Sequence, residues 1–95
     1  MLPQQRTRIE FLLLMREVRN RPGPYWLSIV AVLQEAIESG RLGAGQVLPA
    51  QRLVADFTGL HVNTVNRGMR EAARRGLVVT RCWGGTVIRH AAIQA

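Results

Sequence analysis

The spacing of Ala55, Gly59 and Val65 within residues 48–75, LPAQRLVADFTGLHVNTVNRGMREAARR, constrains this chain more than any other feature. Two short helices that cross closely need a small side chain at the crossing, a residue free to turn, and a branched apolar side chain filling the space between them. Those needs predict a positioning helix over residues 50–57, a turn over 58–61 and a second helix over 62–75. At ~1.5 Å per residue that second helix is roughly 20 Å long. Leu53, Val54 and Phe57 from the first helix, with Val65, Met69, Ala72 and Leu77, are expected to supply the packed interior. Ala50, the expected N-cap, offers no side-chain acceptor for the first amides. Gly68 costs ~1 kcal/mol inside a helix relative to alanine, which predicts close backbone packing at that point.

The remaining segments arrange themselves around this pair. Residues 5–19 read as a helix, with Phe11, Leu14, Met15 and Val18 forming one apolar stripe and Ile9 and Leu13 lying roughly opposite. A helix serving only its own domain needs one apolar face. Two readings follow: the helix caps the domain core, or it pairs subunits through Phe11, Leu14, Met15 and Val18. The string NRPGP over residues 20–24 breaks the chain, and residues 25–39 form a scaffold helix lined by Trp26, Ile29, Val30, Leu33, Ala36 and Ile37. Residues 46–48 suit one short strand. Beyond Gly76, β-rich runs over 77–82 and 86–89 flank a Gly84-Gly85 turn. The expected fold is mainly α with a small β-hairpin, a winged helix-turn-helix with an extra N-terminal helix. The expected division is an N-terminal helix at 1–20, the winged helix at 24–90 and a tail at 91–95.

Composition bounds what such a chain does. Its 95 residues, 47% of them hydrophobic, suffice for one small core and leave no room for an enzyme domain beside it. The single cysteine, Cys82, forms no internal disulfide, so a reducing, cytoplasmic setting is expected. No apolar run reaches ~18 residues and no signal-peptide pattern opens the chain, so neither a membrane span nor export is expected. All thirteen basic residues are arginine, giving a net charge of +7. Before Gly40, five arginines face four glutamates; from Gly40 onward, eight arginines face one aspartate and one glutamate. Nearly all the excess positive charge therefore accompanies the helix pair, where forked guanidinium donors suit phosphates and guanine edges.

The outward residues at the start of the second helix are expected to be His61, Val62, Asn63, Asn66 and Arg67, with Thr64 near the N-terminal amides where a phosphate sits well. Arg70, Arg74 and Arg75 continue as a basic tail. Arg81, Trp83 and Thr86 are expected to decorate the wing, with Trp83 either pressing on a sugar-phosphate backbone or folding onto the core. No catalytic or metal-ligating constellation is present: His61 and His90 are far apart, and Cys82 lacks metal-ligand spacing. No cofactor and no small-molecule effector site is expected.

From residue 24 to 88 the chain resembles the DNA-binding domain of the GntR family of bacterial transcriptional regulators, through IESGRLGAGQVLPAQRLVADFTGL, NTV, RRGLV and GGTVI. The ending NTVNRGMREAARRGLV looks most like the MocR-type branch, in which an aminotransferase-like domain follows; that domain has no counterpart in these 95 residues, so a module of a longer regulator or a short relative is expected. The resemblance implies a DNA contact for Arg52 and a phosphate contact for Thr64. The family usually carries serine and arginine at His61 and Val62, often arginine near Asn66, and Gly-Arg-Gly where this chain has Trp83-Gly84-Gly85. Val62 meeting a thymine methyl, and Asn63 or Asn66 bonding an adenine edge, would replace the usual guanine readout and favour A·T-richer sites. The expected function is a sequence-specific regulator, most simply a dimeric repressor on a palindromic site in double-stranded DNA. The alternative is a winged helix used for protein interaction, with Val62 and Trp83 as its apolar contact.

Overall fold

The computed structural model describes residues 3–81 and 85–89, with side chains from Gln5 onward. Helix α1 spans Pro3–Met15 and continues as a 3-10 turn, Arg16–Asn20; α2 spans Tyr25–Glu38, α3 Gln51–Thr58 and α4 Val62–Arg74. Strands β1, Val78–Arg81, and β2, Gly85–Ile88, pair antiparallel, with Val79 opposite Val87 and Thr80 opposite Thr86. Four helices and a hairpin make a winged helix-turn-helix with one additional helix in front.

The crossings follow from the small residues. Gly59 ends α3 at φ 77°, a conformation that L side chains rarely adopt, and its amide donates to the Ala55 carbonyl. The Thr58 hydroxyl holds the turn, donating to Val54 O at 2.7 Å and accepting from Leu60 N at 3.3 Å. Gly68 faces α2: a Cβ there would lie 3.0 Å from Ile29 and from the Trp26 carbonyl oxygen, so α4 and α2 approach so closely that an added methyl would have to push a neighbour aside. Ala50 caps α3 without a side-chain bond, as its chemistry requires.

The segment before α3 contributes more than a short strand. Val47 bridges Val87, Leu48 N donates to Thr86 O at 2.8 Å, and Ile88 N donates to Gln46 O at 2.9 Å. Thus β2 lies between β1 and this segment. That position buries Val87, Ile88 and Thr86, the last only 8% exposed, so Thr86 belongs to the interior and not to the surface of the wing.

The first helix joins the core outright. Phe11, Met15 and Val18 have no exposed surface and Leu14 has 7%; all four lie in one cluster with Ile29, Leu33, Val54 and Val65. The expectation that these four pair subunits is therefore corrected: they are spent on the chain's own interior, because α1 packs on both α2 and α3. Arg19 secures the junction by donating to Thr58 O at 3.3 Å, and Arg41 pairs with Glu10 at 3.2 Å. Ile9 and Leu13 are the exposed apolar residues of α1. A second correction concerns α3. Leu53 and Phe57, expected inside, are 42% and 46% exposed, because an eight-residue helix against α1 and α4 turns Val54, Ala55 and Thr58 inward instead.

Candidate nucleic-acid interface

Helix α4 buries Val65, Gly68, Met69 and Ala72. At ~100° per residue the opposite side carries Asn63, Arg67, Arg70 and Arg74, and all four are exposed. This polar stripe runs the length of the helix, flanked by the start of α2 on one side and the start of α3 on the other. An open groove of about 620 Å³ follows it, floored by Trp26 and lined by Asn66 and the stripe.

Each end of the stripe is organised by a specific bond. His61 caps α4, its Nδ1 accepting from the Asn63 amide at 3.0 Å. Asn66 Nδ2 donates to Gln51 Oε1 at 3.1 Å, latching α4 to the first turn of α3, where Arg52 is exposed. At the far end Glu71 accepts from Arg74 at 2.6 Å and from Arg75 at 2.8 Å. These bonds, that from Arg74 first, lower its carboxyl from 4.5 to about 2 and hold the Arg74 guanidinium above its ordinary value. Arg67 stands 4.3 Å from the Trp26 ring centroid. Among the described residues, Arg52, Arg67 and Arg70, on and beside this face, carry no ion pair and are exposed, as is Arg81 on β1; Arg6, Arg8, Arg16, Arg19 and Arg89 are likewise without an ion pair on other parts of the surface.

The structure thus brings Asn63, Asn66, Arg67 and Arg70 together on one face with Arg52 beside them. Thr64 is half-buried toward the α2 side. Val62 is half-buried and packs on the core, so the expectation that it points outward is corrected in part. Arg81 is exposed at the end of β1; Trp83, Cys82 and His90 lie outside the described residues. Sequence reasoning missed two participants, Gln51 and Trp26. Nothing marks Gln51 in the sequence, since its partner lies 15 residues away. Trp26 reads as one more apolar residue of α2, although an aromatic in a first turn directly after a proline has little helix in front of it to cover it.

A helix presenting unpaired arginines and an exposed asparagine, capped and latched at its N-terminal end and followed by a β-hairpin, is the construction of a winged-helix nucleic-acid reader. Residues 27–88 match the family described as bacterial regulatory proteins, gntR family. No curated protein sequence matches the chain significantly. Among solved structures, YtrA from Sulfolobus acidocaldarius, a GntR-family transcription factor, is similar with 26% identity and a TM-score of 0.68, over 73% of this chain and 72% of that one. A transcriptional antiterminator from Listeria monocytogenes EGD-e is similar with 27% identity and a TM-score of 0.71, over 79% of this chain and 54% of that one. The present chain therefore accounts for about half the length of the second protein. It belongs to the gntR family of bacterial regulatory proteins, and with it to the DNA-binding transcriptional regulators.

Proposed function

We propose that this chain binds specific sites in duplex DNA as a homodimer and, in the simplest case, represses transcription by occluding them. The observation that carries the reading is the stripe Asn63, Arg67, Arg70 on the outer face of α4, with Arg52 on the adjoining helix. Such a helix fits the major groove, where arginines meet phosphates and an asparagine amide matches an adenine edge. Asn63 is the adenine reader of choice: it is exposed, whereas Asn66 spends one donor on Gln51. The half-burial of Val62 removes support from the protein-interaction alternative.

One recognition helix covers only part of a typical site, and a two-fold pair covers two half-sites one helical turn, about 34 Å, apart. The outer face of α1, with Ile9 and Leu13 exposed on a helix that packs on α2 and α3, is the surface we assign to the second copy. Membership of the MocR-type branch belongs to the same proposal.

Selection of bound sites from random duplexes, with a salt titration and a mass measurement, tests it. Expected are inverted half-sites with A·T pairs opposite Asn63, a log affinity falling steeply with log salt, and weaker binding by Arg52→Ala. G·C-rich cores would sink the adenine readout. Salt-insensitive binding with no preference among sequences would sink the DNA-reading function itself. A monomer on a single half-site would remove the dimer.

A further inference from the structure

We propose that Trp26 is a positioning residue for DNA recognition, its ring holding the Arg67 guanidinium along the α2 side of α4 where it grips a backbone phosphate and not a base. The inference rests on the DNA-binding reading and deepens it.

Three observations converge on it. First, Arg67 lies 4.3 Å from the Trp26 ring centroid and has no ion pair or hydrogen bond among the described residues, so its donors remain unspent. A guanidinium on an aromatic face keeps its N–H edge free while losing much of its rotamer freedom, which lowers the entropy lost on meeting an oxyanion. Second, Trp26 is fixed in turn. It sits in the first turn of α2, and its carbonyl is pressed against α4 at Gly68, so the ring and the guanidinium belong to two helices that cannot shift independently. Third, Arg74 and Arg75 both spend donors on the single Glu71 carboxylate, which leaves Arg67 and Arg70 as the cations of α4 without an ion pair.

Geometry decides between phosphate and base. A helix with its side chains is about 10–12 Å across and fills a major groove about 12 Å wide. Side chains on the midline of its outer face meet base edges; one drawn sideways over a neighbouring helix meets the groove wall, which is sugar and phosphate. Asn63 lies nearest the midline, opposite the buried Val65, Gly68, Met69 and Ala72. Arg67 is drawn toward α2 by the Trp26 ring, so it sets the register of the helix on the duplex while Asn63 reads sequence.

The test compares the full chain with Arg67→Ala, Trp26→Leu, Trp26→Phe and the Trp26→Leu/Arg67→Ala pair, on the selected site and on scrambled duplexes over a range of salt, with each variant's thermal melt recorded. Arg67→Ala is expected to weaken binding by a similar factor on every duplex and to reduce the salt slope by about 1. Trp26→Leu is expected to weaken binding about two- to fivefold, and Trp26→Phe, which keeps a ring, by less. In the Arg67→Ala background, Trp26→Leu is expected to add nothing further, a result that loss of packing alone would not produce. Equal losses for Trp26→Leu with and without Arg67 would overturn the positioning role. A loss for Arg67→Ala confined to one base pair of the site would overturn the phosphate assignment. Failure of the unaltered chain to bind any duplex would instead remove the DNA-binding reading, and this inference with it.

Discussion

Gly68 concentrates opposing effects in one residue. Replacing it by alanine relieves a helix of glycine, worth about 1 kcal/mol. It also places a methyl 3.0 Å from the Ile29 side chain and from the Trp26 carbonyl oxygen. Ile29 has no exposed surface and the carbonyl is backbone, so neither moves aside without displacing α2. Overpacking of this kind costs about 1–3 kcal/mol, which outweighs the propensity gain. Gly68→Ala is therefore expected to lower stability by about 1 kcal/mol in denaturant unfolding; a stabilised variant would show that the two helices can part cheaply. At the other end of α4, His61→Ala removes the acceptor for the Asn63 amide and is expected to cost about 1 kcal/mol, with His61→Ser recovering most of it. The tightness at Gly68 was legible in the sequence, because glycine inside an otherwise good helix needs a reason. The cap was not, since histidine is an uncommon capping residue and its role depends on which ring nitrogen faces the amide.

Within α4 the last turn behaves differently from the first. Glu71 gathers Arg74 and Arg75 into one exposed cluster and leaves the front of the helix with the unpaired cations. Its carboxyl is depressed from 4.5 to about 2 in the folded chain, first by the hydrogen bond from Arg74 and then by that from Arg75. A depressed acid stabilises the fold fully above its unfolded value and loses that contribution as pH falls through the folded one. The advantage of the parent chain over Glu71→Gln in thermal melts is accordingly expected to be constant at neutral pH, to shrink below about 4.5 and to vanish near 2. It is expected to be small, because solvent screens exposed pairs. An undiminished difference at low pH would mean that Glu71 acts through packing and not charge. The same variant frees two arginines and is expected to steepen the salt dependence of DNA binding. The helices themselves were legible from periodicity and breakers. What their faces do was less so: α3, with eight residues, has too few positions for its apolar pattern to decide that Leu53 and Phe57 face out. Thr86 was misplaced because an alternating strand shows its two faces but not that a third segment, Gln46 to Leu48, covers its other edge.

On the scale of the molecule, the N-terminal helix belongs to the winged helix and not beside it. Its sequence displays two apolar faces and does not say which is inside; the wider one, with Phe11, Leu14, Met15 and Val18, fills the space between α2 and α3, and Ile9 and Leu13 remain outside. Fully burying side chains of this size contributes about 1.5–3 kcal/mol each. For a domain whose whole stability is about 5–15 kcal/mol, losing several of them is decisive. A chain beginning at Arg21 also loses the bonds from Arg19 to Thr58 O and from Arg41 to Glu10, so the turn between α3 and α4 loses its support as the core opens. Such a chain is expected to unfold without a cooperative transition and to bind DNA weakly, since Asn63, Arg67 and Arg70 depend on α4 being held against α2. Ile9→Glu with Leu13→Glu, by contrast, alters only exposed positions; it is expected to keep the parent melt and change assembly alone. Paired thermal melts and mass measurements separate the two cases. A truncated chain that melts cooperatively at the parent temperature would show that α1 is an appendage. A double-glutamate variant that fails to fold would show that its outer face is spoken for within the chain.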